Sequence, residues 1–328
     1  MSHCILHIGW HKTGTTTLQQ FSYQNRDKLA AIGVHYPDWN HNHGAALVST
    51  FRQDTGYYFA ETFVPPRPKF AHIAPAEWGR SVFQDAIRLA KGKTLLLSGE
   101  DCVLLRLAEI SALATELRAQ FETVEVVAYL RNHRDFLNSA VQQLIRMGFP
   151  ISATLAMAKA APETLEPLRV MSPIPAYGPR LRDWIEVFGK DNVHIHNYDR
   201  MCQNGQDILS HFYTNHLSEA AQMIVNKTQQ RSNSRFSATA IDLLDYLHSR
   251  TPPMLNGQPN ARFVFNLQRF FGQIPGPVFH VGEAFDRSCS VARDTDRPML
   301  EAILSDESLE NLYQDRPPHG DVSVAPLP

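Results

Sequence analysis

Cysteine, an excess of one charge and long apolar runs are all scarce in this chain of 328 residues. Its four cysteines, Cys4, Cys102, Cys202 and Cys289, form no C-x-x-C pair and no Cys/His ligand spacing. That excludes a disulfide framework or a zinc finger and fits reduced thiols in a cytoplasmic protein. No stretch approaches the ~18 apolar residues of a membrane-spanning helix. After Met1-Ser2-His3 the chain enters an apolar strand without a leader-like segment, so a cytoplasmic location with no transmembrane segment is expected. With 31 Lys+Arg against 33 Asp+Glu the net charge is −2, and the basic excess of a dedicated nucleic-acid binder is missing. Internal repeats are missing as well. Histidine is the one surplus, at fifteen, yet no H-E-x-x-H pair occurs. His41/His43 and His194/His196 are i,i+2 pairs, a spacing that on a strand merely puts both rings on one face. No metal is expected.

What remains is an ordinary globular composition, 43% hydrophobic and 20% charged. Short apolar runs at 4–9, 34–36, 94–98, 124–130 and 193–197 alternate with helical patterns at 15–31, 77–90, 103–120, 133–147, 177–188, 207–215 and 237–248. The alternation predicts an α/β fold, a P-loop-like three-layer sandwich with a central parallel β-sheet flanked by helices. One domain is expected over 1–315, with insertions near 36–80 and 149–176 at the sheet's rim and a proline-containing tail over 316–328.

Gly9-Trp10-His11-Lys12-Thr13-Gly14-Thr15-Thr16 nearly matches the phosphate loop GxxxxGK[ST], after a strand and ahead of a helix. Backbone N–H groups in that setting cradle an anion at a positive helix end. The lysine is displaced, however: Thr15 stands where the pattern has Lys, and Lys12 lies two positions before the second glycine. The loop is built for a phosphate group but not for the β- and γ-phosphates of a magnesium-bound triphosphate. Downstream, a leucine-rich strand ends in Ser98-Gly99-Glu100-Asp101. These acids read as helix-N-terminal carboxylates, as a general base, or as magnesium ligands. Arg131 closes the strand at 124–130, and Ser139 follows two helical turns later on the same face, a pair able to fork onto a second phosphate.

These residues resemble the sulfotransferases that use 3′-phosphoadenosine 5′-phosphosulfate (PAPS), in particular bacterial carbohydrate-type members. Their first signature, [HIV]-G-x-x-K-T-G-T-[ST]-x-L-Q, is matched by the run from Ile8 to Gln19. The resemblance implies that His11, Lys12, Thr13, Gly14, Thr15, Thr16 and Thr17 surround the 5′-phosphosulfate and that Arg131 and Ser139 bind the 3′-phosphate. Gln142…Arg146-Met147-Gly148, Trp184…Phe188-Gly189 and Val193…Tyr198 are similar to further segments of that family, and the likeness runs roughly over residues 4–248. The C-terminal R-K-G segment of cytosolic members is missing. Arg231-Ser232-Asn233-Ser234 resembles an N-x-S region of bacterial members, which would put Arg231 and Asn233 on the cofactor.

By the same resemblance Lys12 supplies positive charge and Glu100, in an S-x-E strand end, takes the proton of the acceptor hydroxyl. His43, in a loop similar to a "Y-P…H" segment, is the other candidate base. The implied reaction moves a sulfuryl group in line from PAPS to an acceptor hydroxyl of a carbohydrate, glycolipid or polar metabolite, leaves the 3′,5′-bisphosphate PAP, and uses no metal. A glycan, lipid headgroup or small molecule is the expected partner, not nucleic acid. Trp39, Tyr57, Tyr58, Phe59, Phe63 and Trp78 offer rings that could stack on sugars or fill a core. A magnesium-dependent P-loop kinase or NTPase with Glu100 and Asp101 as metal-binding acids is the alternative, and a non-catalytic nucleotide-binding scaffold a third reading.

Overall fold

The computed structural model describes residues 2–52, 75–146, 148, 176–226, 236–252, 254–255, 258–260, 268–281, 285–304, 309 and 312–313. By its contacts the chain divides into two compact units, Met1–Leu130 with Tyr177–Gln230 and Arg131–Ala176 with Arg231–Pro328.

The first unit opens with β1 (His3–His7), whose Cys4, Ile5 and Leu6 are all fully buried. A strand apolar on both faces belongs inside a parallel sheet, where helices cover each side. After the Gly9 loop come α1 (Thr15–Gln24) and α2 (Arg26–Ala31), where one helix over 15–31 was expected. Asn25 makes the break: both its backbone N–H and its side-chain Nδ2 donate to the Phe21 carbonyl, at 3.0 Å each. An asparagine side chain thus takes the place of a continuing helical turn.

β2 (Val34–His35) is followed by α3 (Gly44–Phe51), a helix in a stretch expected to be irregular. α3 packs along α4 (Pro75–Leu89), with Phe51 edge-on to Phe83 at 5.3 Å. Its short run Ala46-Leu47-Val48 carries no helical period of its own, so packing decides it. β3 (Thr94–Ser98) leads into a 3₁₀ turn, Glu100–Leu104, and then α5 (Leu107–Arg118), splitting the helix expected over 103–120. The Arg106 N–H, donating to Glu109 Oε2 at 2.8 Å, marks the true helix start.

β4 (Thr123–Leu130) ends the first stretch of this unit, and α6 (His133–Arg146) opens the second unit. The first unit resumes with α7 (Tyr177–Phe188), β5 (Val193–Asn197), α8 (Tyr198–Gln203), α9 (Ile208–His216) and α10 (Glu219–Asn226). Its five strands are all parallel, in the order β2-β3-β1-β4-β5. Ile5, Leu96, Val127 and Tyr129 face α1 and α9, whose Leu18, Phe21, Leu209, Phe212 and Tyr213 complete that core. Burying each such side chain contributes about 1.5–3 kcal/mol. α5 and α7 pack on each other and on β4, and in α7 Trp184 stacks on Phe188 at 5.7 Å. The W-x-x-x-F pattern is therefore core.

The strand order has a functional consequence. The connection leaving β1 goes to β2, and that leaving β3 crosses β1 to reach β4. Right-handed crossovers then place these two connections on opposite faces. The carboxyl ends of β1 and β3 meet at this switch point, the place where α/β sheets bind ligands.

In the second unit, α6, α11 (Ala238–Arg250) and α13 (Asp286–Leu300) surround a core that includes Phe136, Leu144, Phe236, Ile241, Phe271 and Phe285. A two-stranded ladder, β6 (Met254–Leu255) with β7 (Gln258–Pro259), and α12 (Gln268–Phe271) lie between. Gln142 Oε1 accepts from the Phe236 N–H at 3.3 Å, and the Arg146 guanidinium lies 3.9 Å from the Phe236 ring centre. The sequence pattern gave no warning of α13. Its buried positions include Ser288 and Asp296, and Asp296 pairs with the buried His133 at 3.0 Å. A polar buried stripe leaves no apolar period to read.

Candidate functional site

The carboxyl ends of β1 and β3 carry the sequence-predicted loop. Ile8 extends β1 by donating to the Val127 carbonyl at 3.0 Å, and the chain then turns at Gly9, with φ +72°. A Cβ there would lie 2.7 Å from Glu100 Cα, so only glycine lets the two strand ends approach. Trp10 leaves the loop to pack edge-on against Tyr177 of α7, at 4.9 Å. The Thr13 hydroxyl, buried, donates back to the Trp10 carbonyl at 2.6 Å. Lys12 takes the left-handed conformation at φ +67°, alone among the non-glycine residues described. Holding it there costs about 1–3 kcal/mol, which the surrounding loop must offset.

α1 begins at Thr15 behind Gly14, whose φ is +79° and which has no side chain to cap the helix. Gly14 therefore puts no side-chain acceptor on the first-turn amides of α1, which lie at the positive end of the helix. Behind Gly14 sit Ile208 and Tyr198, at 3.2 and 3.3 Å from where its Cβ would be. Thr15 is buried, Thr17 half-buried and Thr16 exposed.

From β3 two carboxylates meet the loop. The Thr15 hydroxyl donates to Glu100 Oε2 at 2.5 Å, and His11 Nε2 lies 3.2 Å from Asp101 Oδ1. Burial alone would lower the His11 pKa, but the negative charge of Glu100 and the hydrogen bond to Asp101 outweigh it and push it up. His11 thus adds positive character beside Lys12.

His43, the other candidate base, lies in the interior. It is fully buried, with its ring between Tyr36 at 4.5 Å and Trp39 at 4.7 Å. The Ser98 N–H donates to His43 Nδ1 at 3.1 Å, which leaves Nε2 carrying the proton toward the Pro37 carbonyl at 3.3 Å. The His43 N–H in turn donates to the Ser98 carbonyl at 2.8 Å. Burial pushes its pKa down to about 3, so the ring is neutral. His43 clamps the segment after β2 to the end of β3. His7 does the same from β1: its Nδ1 lies 2.8 Å from Ser98 Oγ, and burial, then the charge of His216, push its pKa down to about 3.

The first unit thus brings His11, Lys12, Thr13, Gly14, Thr15, Thr16, Thr17 and Glu100 to one edge of the sheet, with His43 bracing it. Arg131 and Ser139 belong to the second unit. Arg131 is buried, directly following the last residue of β4, and Ser139 is half-buried on α6. Arg231 and Asn233 lie outside the described residues, as do Tyr57, Tyr58, Phe59 and Phe63. Trp78 is buried, and Trp39, half-buried, packs on His43.

Three participants escaped the sequence reading: Asp101 as the partner of His11, Ser98 as the joint between β1, β3 and His43, and Tyr198 behind Gly14. The S-x-E pattern was the signal for Ser98. No local pattern marks the other two contacts.

No family model matches this sequence, and no curated protein does. Among solved structures, a sulfotransferase from Alicyclobacillus acidocaldarius is similar, with 14% identity, covering 75% of this chain and 92% of that one at a TM-score of 0.41.

Proposed function

We propose that this chain is a PAPS-dependent O-sulfotransferase. The observation that carries the reading is the Gly9–Thr17 loop itself: a phosphate cradle whose lysine stands before the second glycine, closed by a hydrogen bond from Thr15 to Glu100. The residues fit an anionic phosphosulfate. The first turn of α1 has no side-chain cap on its amides, and Lys12 and a His11 of raised pKa add positive charge.

PAPS supplies the activated sulfuryl group and departs as the 3′,5′-bisphosphate. The chain's own residues bind, balance charge and move one proton. Lys12 and the α1 amides offset charge that grows on the departing phosphate, which is where preorganised donors lower a barrier most. Thr15 fixes Glu100 through Oε2, and Oε1 is the atom that takes the proton from the acceptor hydroxyl. His43 is a poor base because its Nδ1 already accepts from Ser98 and its Nε2 faces a carbonyl. Arg131 and Ser139 are assigned to the 3′-phosphate on the chemistry of a guanidinium and a hydroxyl toward a phosphate. Asp101 is drawn to His11 and Glu100 to Thr15, so both acids serve the loop in this reading.

The acceptor is an alcohol of a carbohydrate, lipid headgroup or polar metabolite. The test is to incubate metabolite and glycolipid extracts with the enzyme and PAPS, and to search by mass spectrometry for products heavier by one sulfuryl group. Such products, absent with Lys12→Ala, are the expected result. Magnesium-dependent consumption of ATP with no sulfuryl gain on any extract component would overturn the reading.

A further inference from the structure

Where β1, β4 and β5 begin, the first unit gathers histidines that the proposed reaction leaves unused. The register sets Ile5 opposite Glu125 and Val127 opposite His194, so Glu125, His194 and His196 project to the face covered by α9. His216, in the last turn of α9, meets them there. His194 Nε2 lies 3.5 Å and His216 Nδ1 3.8 Å from the same carboxylate oxygen, Glu125 Oε2. One ligand atom from each of the three residues falls within 4.8 Å of the others.

Separations of this size are long for hydrogen bonds. The two imidazole–carboxylate separations, 3.5 and 3.8 Å, approach the edges of a coordination tetrahedron, because an ion bonded at about 2.0–2.1 Å holds its ligand atoms about 3.3–3.4 Å apart. We infer that Glu125, His194 and His216 form a binding site for a zinc-class divalent transition ion, with its remaining position open to water. The donor set of two imidazole nitrogens and one carboxylate suits that class rather than magnesium or calcium, which take all-oxygen shells.

The surroundings already orient the three ligands. His216 Nε2 lies 2.8 Å from His196 Nε2, so its far nitrogen is engaged and Nδ1 is left facing Glu125. His3 Nε2 lies 3.3 Å from the other Glu125 oxygen, Oε1, and steadies the carboxylate. Outer partners of this kind fix ring and carboxylate orientation in metal sites. His216 is buried, whereas Glu125 and His194 are partly exposed, which gives an ion a path in. Glu125 stands opposite Ile5, four residues before the Gly9 turn, roughly 13 Å at the rise of a strand. The ion would therefore tie α9 to β4 and β5 rather than enter the anion cradle. This inference is independent of the proposed reaction.

The experiment uses tag-free, metal-stripped full-length protein, titrated with zinc by calorimetry and with cobalt(II) by visible absorption. One equivalent of zinc should bind, cobalt should give the intense bands of a four-coordinate site, and zinc at about 100-fold over its Kd should raise the Tm by roughly 5 °C. Glu125→Gln and His194→Ala should each weaken zinc by about 10²-fold or more, while Lys12→Ala leaves it unchanged. Should one variant fail to fold, the other and the wild-type cobalt spectrum still decide. A flat zinc titration, a cobalt spectrum without those bands, or an affinity untouched by both substitutions would overturn the site.

Discussion

Where the strands of the first unit end, the chain presents amides, a lysine and a protonatable histidine; where they begin, it presents imidazole nitrogens around one carboxylate. The first arrangement suits an anion and the second a cation, and histidine serves both. At the loop, two carboxylates raise the His11 pKa, whereas His7 and His43, sealed beneath it, are kept neutral by burial. The difference shows that the role of a histidine is set by what it faces and how deeply it lies, neither of which its spacing in the sequence conveys.

Substitutions at the two ends should separate them. Glu100→Gln should cost the most, about 10²–10⁴ in kcat with PAP affinity largely kept, as expected for loss of a general base. A steady-state comparison checks it, and an unchanged kcat would remove Glu100 from the chemistry. Acidification should strike the buried histidines next. Their folded pKa values are depressed to about 3, so the unfolded chain binds protons first as the pH falls below ~6.5. Stability is thus lost on the acid side, by about 2–3 kcal/mol for each of His7 and His43 between pH 6.5 and 4.5. Urea unfolding at the two pH values measures this, and His43→Phe should flatten part of the slope.

Arg131→Ala should weaken PAP by ten- to a hundredfold, the worth of a charged hydrogen bond of about 1.5–3 kcal/mol, with no effect on zinc. The smallest effect belongs to His11. A raised folded pKa means that its stabilising charge is fully present below the ordinary value and is lost as the pH rises through the raised one. PAP affinity should accordingly decline on the alkaline side by a few-fold, and His11→Gln should abolish that decline in a pH series of titrations.

Much of the first unit was legible because its signals are local. Leu95-Leu96-Leu97 and Cys4-Ile5-Leu6 read as buried parallel strands, and the glycine spacing with its threonines reads as an anion loop. Contacts between distant segments were not legible. Asn25 breaks a helix by adding its side-chain amide to the Phe21 carbonyl, α3 forms because α4 covers it, and α13 hides its buried face in Ser288 and Asp296. The burial of His43 likewise follows from Tyr36 and Trp39 closing over it. The i,i+2 spacing of His194 and His196 correctly placed both on one face. It could not announce Glu125 or His216, which arrive from another strand and a helix.

The central claim is that the Gly9–Thr17 loop, with its lysine moved upstream, seats the phosphosulfate end of PAPS. It is tested most directly by calorimetric titration of the wild-type protein and Lys12→Ala with PAP and with PAPS, in EDTA and in magnesium. The account predicts wild-type binding of both nucleotides that EDTA does not alter, and a Lys12→Ala variant that binds PAP more weakly and turns PAPS over about 10²–10³ more slowly. Failure of PAP to bind, or tight binding confined to ATP with magnesium, would contradict it.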